Sequence, residues 1–358
     1  MPPSEPVQVL LRDHWYDALA SLILDALPRR GRHSDLVRAH QLALAAKRVL
    51  DLDAEDFGAI ATEVPSPWNG DLVAASFPAE PRDPARGALG SLAGLYALML
   101  EVLDLRASRL EPLQVVVTAH LIGEYLPMLA WESTLGHAGD PQRMRGSVGE
   151  RWGTDSLDCP HSSAQRATAR RSLNACDGDP EGYRAYLDRF HSRLGETLAV
   201  CALNHHTVGA GVRPDVGTTC PSPCRWAVEG PVAARLDLDA RVRLALLYRD
   251  SPVVALRHHA PVGHFFGVPS TNEISDAWLR TWQRVSAPWP DGSNPLERGT
   301  VRGAPEAGEA LPGMSALVSA VAGTTLGPGR LIRGIGSEVG AVLDRYTAQH
   351  PPVDSGTW

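Results

Sequence analysis

The chain has 358 residues, 44% of them hydrophobic and 21% charged, with a formal net charge of −7. That is the composition of a globular protein able to bury a sizeable core, not of a disordered chain. The acidic balance and scattered arginines give no clustered basic run of the kind that displaces counterions from nucleic acid. Lys47 is the only lysine. Arginine does not replace lysine in Schiff-base chemistry, so pyridoxal-phosphate catalysis and a Walker-type phosphate site would have to use Lys47.

In chain order, residues 15–27 read as a helix stopped by Pro28. The next helix starts at Ser34 as N-cap and shows a stripe of Leu36, Ala39, Ala43, Ala46 and Leu50 at helical spacing. A short helix is expected over 53–63. Prolines 65, 67, 78, 81 and 84 make Val64 to Arg86 a loop or extended connection. Two helices follow over 88–105 and 111–135, the second kinked or divided at Pro127. Residues 136–160 read as loop, and 162–175 as a helical stretch. The clearest helix is 180–206, with Asp179 as N-cap, Pro180 in the first turn, and an expected buried stripe of Tyr183, Leu187, Phe190, Leu194, Leu198, Cys201 and His205.

Beyond Thr207 the pattern changes. The runs within 242–259 flank Arg249-Asp250-Ser251-Pro252, which reads as the turn of a β-hairpin, and 263–269 would add a third strand. Ser270 and Glu273 stand in capping-box spacing ahead of a helix over 271–285. A Pro/Gly-rich loop covers 286–312, and helices follow near 313–322 and 330–347. The expected fold is therefore mainly α, of the α+β kind: a helical bundle with a small antiparallel β element. Its simplest division is a helical domain 1–206, a mixed part 207–350 and a tail 351–358, with one continuous domain as the alternative.

Five cysteines (159, 176, 201, 220 and 224) follow an N-terminus without a signal-type apolar run, and no uninterrupted apolar stretch of spanning length occurs. The expectation is a reducing, cytoplasmic setting without a membrane, with free thiols or a metal site in place of disulfides. Cys159, His161, Cys220 and Cys224 could form a tetrahedral Cys₃His zinc site, because zinc stabilises thiolate and imidazole ligands. Separate free cysteines are the plainer reading of such unequal spacings.

His120 and Glu124 lie one helical turn apart and share a face. They could ligate a metal or act as a carboxylate-oriented general base, with Glu132 a third acid further along. An intrahelical hydrogen bond is the structural alternative. His191, beside the apolar stripe of 180–206 and near Asp188 and Arg193, is a further catalytic candidate. His258, His259 and His264, with Phe265 and Phe266 adjacent, could serve a haem. The sequence contains no Gly-x-Ser-x-Gly elbow, no GxGxxG after a strand, no EF-hand loop and no repeat of fixed period.

No motif fixes a reaction. The reading the residues support is a metal-assisted enzyme acting on a small organic molecule, with His120, Glu124 and His191 as its catalytic candidates. The alternatives are a non-catalytic protein-interaction or regulatory protein, and a haem-binding helical protein. The oligomeric state is open.

Overall fold

A computed structural model describes residues 5–30, 33–65, 68–76, 92–135, 167, 231–260, 267–298 and 308–350. The chain divides into two compact units, one made of 1–77 together with 328–358 and the other of 78–327. The sequential boundary expected at residue 206 lies outside the described residues.

The first unit contains α1 (Glu5–Arg12), α2 (Tyr16–Arg30), α3 (Ser34–Leu50), a 3₁₀ turn (Ala54–Asp56), α4 (Phe57–Ala61), α5 (Trp68–Ala75) and α12 (Leu331–Gln349). Helix α3 packs against α2 and α12. Its expected stripe is the buried one: Leu36, Ala39, Ala43, Ala46 and Leu50 are all buried. The small alanines keep that face flat, and α12 meets its other neighbours through glycines. A Cβ at position 334 would collide with the Trp68 ring, and one at 336 with the Tyr16 hydroxyl. That hydroxyl donates to the Ile332 carbonyl at 3.1 Å, in the first turn of α12.

Three local expectations are corrected in this unit. Pro28 does not stop α2, which runs on to Arg30; a proline in the last turn costs one hydrogen bond, and the helix ends two residues later. Ser34 is the first helical residue of α3, and the N-cap is His33, whose side chain makes no capping bond. Within the proline-rich connection, Trp68–Ala75 is a helix. None of the prolines falls inside that stretch; they bound it rather than forbid it.

The second unit is built around α7 (Pro112–Leu135), with α6 (Leu92–Ser108), α8 (Val232–Arg249), α9 (Pro252–Ala255), a 3₁₀ turn (Leu256–His259), α10 (Thr271–Val285) and α11 (Met314–Ala322). Helix α7 touches α6, α8, α9, α10 and α11. It remains one helix through Pro127, so the expected division does not occur. Residues 112–132 are long and apolar enough to cross a membrane by length and composition alone, and 61% of that window is buried inside the protein. Two buried tyrosines grip this helix: Tyr96 donates to the Ile122 carbonyl at 2.7 Å and Tyr248 to the Ala119 carbonyl at 2.8 Å. Burial pushes the Tyr248 hydroxyl up. Tyr96 is raised first by burial and further by Tyr248, Tyr125, Glu132 and Glu124. Both rings therefore stay neutral donors.

The described residues are mainly helical and contain no strand, so the expected antiparallel β element is not found there. Residues 242–259 form the end of α8, then α9 and the 3₁₀ turn. Two signals favoured the helix. The buried positions Leu238, Val242, Ala245 and Tyr248 recur every three to four residues, and Ser251-Pro252 is an N-cap followed by proline at the first helical position, a helix start and not a hairpin turn. Residues 267–270 carry no strand either, and the rest of the expected third strand, 263–266, lies outside the described residues. The capping box of α10 is present as expected, with Ser270 and Glu273 bonding reciprocally.

Candidate functional site

His120 and Glu124 share one face of α7, as their spacing predicts. His120 Nε2 lies 3.3 Å from Glu124 Oε1, and the two side chains are 12% and 34% exposed. A third group completes the cluster: Arg257 Nη1 lies 2.6 Å from the same His120 Nε2. The chain brings it there through Gly123. A Cβ at that position would sit 3.3 Å from Val254 Cγ2 and 3.4 Å from Tyr248 Cε1. Glycine thus lets α9 lie close against α7 between His120 and Glu124, and Arg257 follows three residues after Val254. The start of α9 is tied to α10, since the Val253 amide donates to Thr281 Oγ1 at 3.2 Å and Arg284 Nη1 donates to the Asp250 carbonyl at 3.0 Å.

The two contacts at Nε2 are mutually exclusive as hydrogen bonds. A guanidinium only donates. With Arg257 donating, Nε2 is the acceptor, the ring is neutral, and its proton sits on Nδ1. The carboxylate at 3.3 Å is then an electrostatic neighbour. With Nε2 protonated, it donates to Glu124, and Arg257 has to withdraw. The shorter Arg257 contact describes the first state. In that state His120 Nδ1 is buried with no hydrogen-bond partner among the described residues. Such an orphaned donor costs about 1–3 kcal/mol. The imidazole is thus held by a cation on the nitrogen that also faces a carboxylate.

Glu132 does not join this cluster. Its Oε1 accepts from the Leu92 amide at 2.8 Å, at the start of α6, where a carboxylate satisfies an orphaned helix donor. His258 and His259 are exposed on the 3₁₀ turn. His191, Cys159, His161, Cys220, Cys224 and His264 lie outside the described residues. Among the described residues no group of three or more His, Cys, Asp or Glu side chains is placed to hold a metal ion. Sequence reading missed Arg257, because it assigned that residue to a strand. The Ser-Pro helix start at 251–252 was the signal that would have moved it onto a turn packed against α7.

The chain matches no protein-family model, no curated protein and no solved structure. Function therefore rests on the chemistry of the cluster itself.

Proposed function

We propose that the chain is an enzyme that takes a proton from a small organic anion, with His120 as the base. The observation that carries this reading is the sharing of His120 Nε2 between Arg257 and Glu124. Arg257 has no carboxylate partner among the described residues. An incoming carboxylate or phosphate offers the guanidinium a charge-assisted, bidentate bond that a neutral imidazole cannot match. Binding the anion draws Arg257 away and leaves the Nε2 lone pair facing the substrate. After Nε2 takes the proton, the imidazolium donates to Glu124, which stabilises the positive charge. General-base catalysis of this kind contributes roughly 10²–10⁴-fold in rate. The same proposal includes a cytoplasmic location and a small-molecule partner. Cys159, His161, Cys220 and Cys224 would hold a structural zinc.

The test is thermal-shift and calorimetric titration of the full chain against small carboxylates and inorganic phosphate. Carbethoxylation of His120 is read in parallel by peptide mass spectrometry. Binding should be saturable and lost in Arg257→Gln, and the bound anion should raise the reactivity of His120. Arg257→Gln alone should raise that reactivity too. Anion binding unchanged in Arg257→Gln, together with a His120 insensitive to both, would remove the reading.

A further inference from the structure

The ends of α3 and α12 carry a second histidine cluster, in the unit that does not contain His120. His33 is the N-cap of α3 and His350 the C-cap of α12. Their ring centres are 4.4 Å apart, and the rings are tilted by 53°. Tyr346, buried in α12, stacks on His350 with ring centres 4.7 Å apart and planes 20° from parallel. It also lies 5.5 Å from the His33 ring.

We infer that His33 and His350 form a binding site for a divalent transition-metal ion such as nickel(II), copper(II) or zinc. Three observations support this. The first is the tautomer of His350. Its Nδ1 lies 3.1 Å from the Tyr346 carbonyl oxygen. A carbonyl only accepts, so Nδ1 carries a proton, and in the neutral ring Nε2 presents its lone pair. A backbone carbonyl bonded to the far nitrogen is the usual way a metal-ligating imidazole is oriented and made more basic.

The second is the state of His33. Its ring nitrogens make no hydrogen bond to the described residues, and the side chain is half-buried. The third is distance. A metal about 2.0–2.1 Å from each ring nitrogen lies about 3 Å from each ring centre, so two ligating rings have centres about 4.5–5 Å apart. The observed separation of 4.4 Å lies at the short edge of that range. Two imidazoles leave the other positions to water or to a third side chain. Imidazole ligands suit these ions, and geometry and availability choose among them. The cation would sit at the negative end of the α12 dipole. Because the ligands come from two packed helices, the ion would also pin the end of α3 to the end of α12.

The test is calorimetric titration of the full chain with nickel(II) chloride in a buffer that does not bind metal, beside His33→Gln and His350→Asn. The asparagine amide can still donate to the Tyr346 carbonyl, so that variant loses the ligand nitrogen and keeps the helix cap. Circular dichroism checks that both variants are folded. One equivalent of nickel should bind to the wild type and be lost in each variant. The wild-type melting midpoint should rise with nickel concentration, and that rise should be absent in the variants. No binding to the wild type overturns the site. So does an equivalent that persists in both histidine variants and disappears in Cys220→Ser with Cys224→Ser, which would assign the ion to thiolates.

Discussion

Single side chains in this protein are read best through what they exclude or offset. Glycines 336 and 340 lie one turn apart on α12 and should respond oppositely to alanine. At 336 the new methyl meets the hydroxyl of the buried Tyr16, while at 340 it meets Leu11 Cδ1 at an ordinary 3.7 Å. Alanine in a helix interior gains about 1 kcal/mol over glycine, and overpacking costs about 1–3 kcal/mol. Gly336→Ala should therefore lower the unfolding free energy by up to about 2 kcal/mol, and Gly340→Ala should leave it unchanged or raise it, both read from urea midpoints. Asp291 gives the clearest acid response. Burial pushes its carboxyl up, but the Ser293 hydroxyl and amide and Arg243 outweigh that and bring it down from 3.8 to about 2. A carboxylate lowered on folding contributes stability that is full above its unfolded value. That contribution is lost as pH falls through the folded one. The stability difference between wild type and Asp291→Asn should be constant above about pH 5 and shrink between about pH 5 and pH 1, measured by denaturant titration across that window.

At the scale of elements, the end of α11 shows how helices are fixed to one another. Gly323 closes it in the left-handed conformation, with φ of 72°. Arg241 of α8 is buried. It donates from Nη1 to the Val321 and Ala322 carbonyls and to Ala130 of α7, while its Nε holds Asp237. One guanidinium thus ties three helices through their backbone carbonyls. Arg241→Met keeps most of the volume and removes the donors, and should cost about 2–4 kcal/mol, seen as a lower guanidinium midpoint at unchanged slope. The elements legible in the sequence were those with a long period or a complete cap, such as the α3 stripe and the Ser270–Glu273 box. What misled was local. The six apolar-rich residues after Arg241 fit a strand as well as a helix, and only the period over all of α8 separates the two. The same limit governed the site. His120 and Glu124 were visible from their spacing, because one helix places both. Arg257 and the His33–His350 pair were not, because their partners are 137 residues away in one case and more than 300 in the other.

On the scale of the whole molecule, the first unit takes its core from both ends of the chain. Leu331, Ile332, Ile335, Val339, Val342, Leu343 and Tyr346 of α12 are buried, and α12 packs against α3, α5 and α1. A chain in which residues 1–77 are joined to 328–350 by a Gly/Ser linker should melt cooperatively by circular dichroism. Residues 1–77 alone should not, since the α3 face that packs on α12 would be left bare. A non-cooperative melt of the joined chain would show that this unit needs residues 78–327 to fold.

That arrangement has a consequence for synthesis. A ribosome produces α3 early and reaches α12 only after the segment 78–327. At about 5–20 residues per second, the delay is roughly 12–50 s. Throughout it the alanine-lined stripe of α3 emerges before its mate has been translated. The α3 face is closed only once α12 has left the exit tunnel.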